Sequence, residues 1–288
     1  MDLRREKLKY VAAVVLYGTI GMFLRYIALP SEAVAFWRGS IGALSILLYL
    51  RFRGGTPDRE AIRKNLRWLL ASGFFLGLNW IFLFSAYIHT TVAIASLCNY
   101  MAPIIVVALA PLLLREKLEW RKLLCVLAAL IGIFLVTGLR GGGTTRGTVM
   151  GLLAALCFAA IVICNKKLRD IGGFDRAVVQ LAVSALTILP YLMARNWGQS
   201  LLPDLPSALL TLMLGVVHTG AAYCLYLSSM GALPVQTVAI LGYLEPVVSV
   251  LCSAVFLRES MAPAGWVGAV LIIGAAVASE VMDGRRKE

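Results

Sequence analysis

Few groups in this 288-residue chain could do chemistry, and those few lie inside long apolar stretches. Glu245 stands directly before Pro246 near the centre of one stretch. A proline removes a backbone hydrogen bond and frees a carbonyl in the preceding turn. A carboxylate beside such a carbonyl can hold a proton or a cationic group. The plain alternative is a neutral Glu that satisfies hydrogen bonds around the kink. Arg38 lies in another stretch, roughly 6 Å from its centre at 1.5 Å per residue. It shares a helical face with Ala35, Ile41, Gly42 and Ser45. Guanidinium and carboxylate pair well, so the partner of Arg38 is either a solute carboxylate or, within the chain, Glu245 or Glu32. Asn79, Trp80, Asn99, Tyr100, Tyr223 and Tyr226 add hydrogen-bonding and aromatic surface at similar depth. Such a set suits a cavity for a small organic solute, where the rings stack on it or cage an ammonium. Equally, they fill a helix bundle and bond across it. His218 is either a proton relay or a packing residue.

Catalysis needs more than this. Two histidines, His89 and His218, and one central carboxylate cannot assemble a nucleophile with its base or a metal cluster. The six cysteines are not spaced as metal ligands and suit small apolar packing. No phosphate-binding Walker loop is present, so ATP does not drive the chain directly. The residues imply no catalytic group, no metal and no cofactor.

The elements that must hold these groups are helices crossing a bilayer. The chain is 60% hydrophobic and 15% charged, with a mean hydropathy of +0.85. Soluble domains run near 45–50% apolar and about 25% charged. The excess falls into ten stretches, at 8–28, 32–52, 66–87, 92–114, 120–139, 147–168, 175–196, 206–229, 235–257 and 262–282, each near the roughly 20 residues a span requires. The net charge of +12 invites a nucleic-acid partner. Its distribution argues against one. Most Lys and Arg fall near 4–9, 51–67, 115–122, 166–176 and 285–287, on one side of a ten-span arrangement. Arg140, Arg146, Arg195 and Arg258 fall on the other, while Arg25 and Arg38 lie within spans. Positive residues stay inside, which predicts a multi-pass inner-membrane protein with both termini cytoplasmic. The same residues can touch anionic headgroups. Arg25 shares a face with Gly18 and Gly21 and either points inward or snorkels outward. No cleavable signal peptide is expected, because the first apolar stretch is too long.

The chain also repeats itself. Tyr100-Met101-Ala102-Pro103 returns 143 residues later as Tyr243-Leu244-Glu245-Pro246, and Arg115-Glu116 returns as Arg258-Glu259. Gly77 and Ser85 map onto Gly220 and Ser228. Five spans per copy is an odd number, so the second copy enters the membrane with opposite orientation. Pro103 and Pro246 then interrupt corresponding helices, a pattern that points to a binding site between inverted repeats. The predicted units are residues 1–140, a flexible Gly-rich linker at 141–146, and 147–288. Gly73 with Gly77, Gly147 with Gly151, and Ala264 with Gly268 mark close helix contacts.

The doubled Tyr-x-x-Pro and Arg-Glu motifs, with the Leu244-Glu245-Pro246 variant, resemble the EamA family of the drug/metabolite transporter superfamily over about residues 8–282. The resemblance implies an all-α membrane basket of ten helices, in two five-helix repeats around a central cavity, with the last helix of each repeat to one side. It implies a transporter of a small organic metabolite working by alternating access. Arg38 and Glu245 among aromatics suit a zwitterion such as an amino acid, with Glu245 and His218 as candidates for proton coupling. An organic cation, nucleoside or vitamin is the alternative substrate; a membrane-embedded enzyme or a channel is the remote one.

Overall fold

The structure, a computed structural model, describes residues 3–102, 104–106, 120–137, 144–196, 203–230, 233, 241–242, 244–259 and 262–284. Every regular element among them is helical: α1 (Leu3–Leu24), α2 (Ser31–Phe52), α3 (Arg59–His89), α4 (Val92–Asn99), α5 (Trp120–Thr137), α6 (Thr145–Lys166), α7 (Gly173–Arg195), α8 (Leu205–Met213), a π-helical segment (Leu214–Ala221), α9 (Ala222–Met230), α10 (Leu244–Val255) and α11 (Pro263–Gly284). Among the described residues, six rods are long and apolar enough to cross a membrane: α1, α2, α3, α6, α7, and the continuous run from α8 into α9. Shorter apolar helices complete the set. With no water in hydrocarbon, each backbone polar group must be satisfied within its own segment, which a helix does.

Burial is arranged for lipid. Leu44, Leu47 and Leu48 of α2 are exposed, while Arg38 on the same helix is buried. Polar groups therefore point into the bundle and leucines point out. Local signals set the helix starts. Asp58 caps α3, Thr91 caps α4 and Thr144 caps α6, each side chain accepting backbone N–H bonds of the first turn.

The packing obeys an exchange rule. The rod α3 packs on α6, as the α8–α9 rod packs on α1. Likewise α3 meets α7 as the π segment meets α2, and α4 meets α6 as α10 meets α1. The pairs α2 with α7, α4 with α10, and α5 with α11 map onto themselves. Swapping halves leaves the arrangement unchanged, as a twofold axis requires. The directions agree with inversion: α3 and α6 run antiparallel, with Asn65 bonded to Arg169 at one end and Thr144 to His89 at the other. The α5–α11 pair stands together, as expected for the last helix of each repeat.

The expected broken helices take a more specific form. Approaching Pro103, which lies outside the described residues, α4 tightens so that the Met101 N–H bonds the Cys98 carbonyl three residues back. Helical residues stand on both sides of Pro246, Leu241 and Gly242 before it and the rest of α10 after it. Of the small-residue pairs, Gly73 and Gly77 touch α7, and Gly147 and Gly151 touch Thr90 and Cys98. Gly268 abuts Gly132 of α5, whereas Ala264 is exposed.

Candidate functional site

Arg38 is 7% exposed and meets no carboxylate within ion-pair distance among the described residues. Its Nε donates to the Thr219 hydroxyl at 2.8 Å, and its guanidinium carbon lies 4.5 Å from the Trp80 ring centroid and 5.9 Å from that of Phe84. Neither internal partner expected from sequence forms an ion pair with it. Glu32 pairs with Arg195 at 3.2 Å and accepts from Asn196 at 3.1 Å. Glu245 has the Tyr100 hydroxyl beside it and feels Arg38 only as a distant charge. A buried guanidinium held by a hydroxyl and a ring keeps most of its charge uncompensated.

The π segment explains how Thr219 reaches Arg38. Its hydroxyl donates 3.0 Å to the carbonyl of Leu214, five residues back. A Cβ on Gly42 would strike the Thr219 side chain, so only glycine lets α2 come this close. Inserted π winding is rare and often found at functional sites.

Glu245 lies in α10, half-buried. Its own carbonyl would stand 2.7 Å from a Cβ on Gly18, so α1 crosses α10 in direct backbone contact there. Beside it lies a tyrosine cluster: Tyr226 is 5.2 Å from Tyr10, 6.1 Å from Tyr17 and 6.3 Å from Tyr223, centroid to centroid. Among the described residues, the buried Tyr17 hydroxyl finds no hydrogen-bond partner, nor does the Nε of Arg176. A buried polar atom left unpaired costs roughly 1–3 kcal/mol, which a bound solute can recover.

The structure thus gathers Arg38, Trp80, Tyr100, Tyr223 and Glu245 around one interior region, within electrostatic range through Tyr17, Tyr87 and Tyr226. It gives three other sequence-predicted residues different work. Asn79 donates to Asn99 at 3.0 Å and to the Ala154 carbonyl at 2.8 Å, tying α3 to α4 and α6. His218 shares a 3.0 Å bond with Thr19 and packs its ring edge on Phe23, without touching Glu245. Sequence reasoning missed Tyr10, Tyr17, Thr219 and Arg176. Tyr10 and Tyr17 stand seven apart and Tyr223 and Tyr226 three apart, spacings that place each pair on one helix face. That signal was available for the tyrosines; none existed for a π winding.

A second constellation closes one end of the bundle. Arg25 donates through Nη2 to Glu259 and to the Thr90 carbonyl, both at 2.8 Å. The other Glu259 oxygen accepts the Val92 N–H at 2.9 Å and the Ser253 hydroxyl at 2.5 Å. A residue of the second half thereby caps α4 of the first and clasps α1. The chain turns into this position at Arg258, whose φ of 53° is left-handed. Arg25 is neither a cavity group nor a free snorkelling cation. The twin motif Arg115-Glu116 lies outside the described residues.

Comparison with known proteins agrees with this architecture. One solved crystal structure matches with a TM-score of 0.68 at 20% identity, covering 96% of this chain and 98% of that one, which shows a shared fold. An uncharacterized transporter, YxxF, of Bacillus subtilis is 26% identical over 258 residues, covering 86% of this chain and 81% of its own. The pseudopaline exporter CntI of Pseudomonas aeruginosa is 27% identical over 183 residues, 59% of this chain and 62% of its own. A probable amino-acid metabolite efflux pump of Salmonella typhimurium is 29% identical over 192 residues, 62% of this chain and 64% of its own. The model of the EamA-like transporter family matches twice, over residues 8–138 and 145–279. With nearly every apolar helix inside those two matches, the chain belongs to the EamA-like transporter family.

Proposed function

We propose that the chain carries a small zwitterionic metabolite, an amino acid or a close derivative, by alternating access between its two halves. One observation carries the reading: Arg38 is a buried cation without a carboxylate partner among the described residues, facing the region where Glu245 stands beside the Tyr100 hydroxyl. The solute carboxylate takes the open donors of Arg38 against Trp80. Its ammonium group lies against Glu245 and the tyrosine faces. Desolvated charges placed this way discriminate strongly against solutes that leave one of them unpaired. Glu245 also serves as the proton-binding group, since a solute and a proton compete for the same carboxylate. Membership in the family and two relatives named for export support efflux across the inner membrane. The end carrying Asp58, Asn65 and Arg169 then faces the cytoplasm with both termini, and the Arg25–Glu259 clasp faces outward.

Counterflow in proteoliposomes tests this. Preloaded unlabelled amino acids should accelerate uptake of a labelled one, saturably, while quaternary amines and nucleosides should not. The tyrosine cluster beside Glu245 favours a second reading, an organic cation held by rings and acid alone. In that case Arg38→Gln leaves counterflow of a quaternary amine intact, and the zwitterion reading fails.

A further inference from the structure

The clustered cations at the end where α3 begins and α6 ends are not spread over a surface; they surround a recess of about 910 Å³. Asn65 is among the residues that line it. This residue is 4% exposed, donates through Nδ2 to the Arg169 carbonyl at 2.7 Å and accepts the Arg169 N–H at 2.9 Å. It thus pins the turn after α6 against α3, and the chain reverses at Asp170, with φ 49°. Five basic residues line the recess with three acids, Asp58, Glu60 and Asp170. Two of the acids are occupied. Asp58 accepts the Glu60 and Ala61 N–H groups as the cap of α3, and Glu60 pairs with Lys64 at 2.6 Å. Arg67, Lys166, Lys167 and Arg169 remain against Asp170, and none of the four has a carboxylate partner among the described residues. Like charges held together by the backbone attract an anion.

A second observation says what kind. From the recess toward the bilayer centre, Leu66, Leu70 and Phe74 of α3 are exposed at four-residue steps, 44%, 45% and 47%. Trp68 also lines the recess, with the Arg67 guanidinium 5.1 Å from its ring centroid. A phosphate among the cations, an aromatic at the interface and an apolar track below match the parts of a phospholipid.

We propose that this recess binds a phosphate group, supplied by the headgroup of an acidic phospholipid whose chains run along Leu66, Leu70 and Phe74. Because α3 belongs to the first half and α6 to the second, the headgroup bridges both.

The test uses the full chain in phosphatidylcholine nanodiscs. Adding phosphatidylglycerol should raise the melting temperature by about 5 °C, the size expected for a single saturable site. The triple variant Lys166→Gln, Lys167→Gln, Arg169→Gln should lose most of that shift, and Arg51→Gln, a cation outside the recess, should keep it. Native mass spectrometry of Lys167→Gln should retain one phosphatidylglycerol fewer than wild type, a readout that holds if the triple variant fails to fold. An equal shift in the triple variant, or from extra phosphatidylcholine, overturns the proposal. The same shift from glycerol phosphate or inorganic phosphate alone would keep the phosphate site and overturn its lipid source.

Discussion

Removing the Arg38 guanidinium should cost transport far more than stability. Its protein contacts are one hydroxyl and two rings, so the fold loses little, while a bound carboxylate loses its counter-ion. Truncating one partner of a buried charge pair costs about 2–5 kcal/mol. Arg38→Gln should therefore weaken solute affinity on the order of 100-fold or more in counterflow, with a melting temperature near that of wild type. Glu245→Gln removes the group proposed to take up the proton. It should abolish uptake driven by a pH gradient and leave solute exchange at a fixed pH measurable. Both residues were legible in the sequence, because a charge at bilayer depth is rare enough to stand out. Their partners were not. Thr219 reaches Arg38 from 181 residues away through a winding no residue pattern announces, and Glu32, close by in the sequence, belongs to Arg195.

At the scale of elements, the clasp at Glu259 joins α1, α4 and the turn before α11. Hydrogen bonds to charged groups contribute about 1.5–3 kcal/mol each, less here for Arg25, which is a third exposed. Glu259→Gln keeps the shape and removes the charge that holds Arg25. We expect the bundle to open more often at this end, read as at least tenfold faster labelling of a cysteine at Tyr17 by a membrane-impermeant maleimide. The helices themselves were readable from hydropathy, and α1, α2, α3, α6 and α7 fall where the apolar stretches predict. The proline positions were readable from the sequence; helical residues flank Pro246 on both sides, whereas the tightening at Met101 had no signal in the residue pattern.

For the whole molecule, the repeat offset predicted an inverted arrangement, and the exchange of packing partners between halves realises it. Hydropathy and charge reveal how often and in which sense a chain crosses; they carry no information on which faces meet, and so the clustered tyrosines of α1 went unnoticed. The topology makes a direct demand: cysteines placed at Lys167 and at Arg258 should react from opposite sides of sealed vesicles. Eight residues of π winding run through the rod formed by α8 and α9. Excising one residue there would turn everything downstream by roughly 100°, one α-helical step, and swing Tyr223 and Tyr226 out of the interior. This rod can trade its side chains one by one, but its residue count is locked to the direction its far half faces.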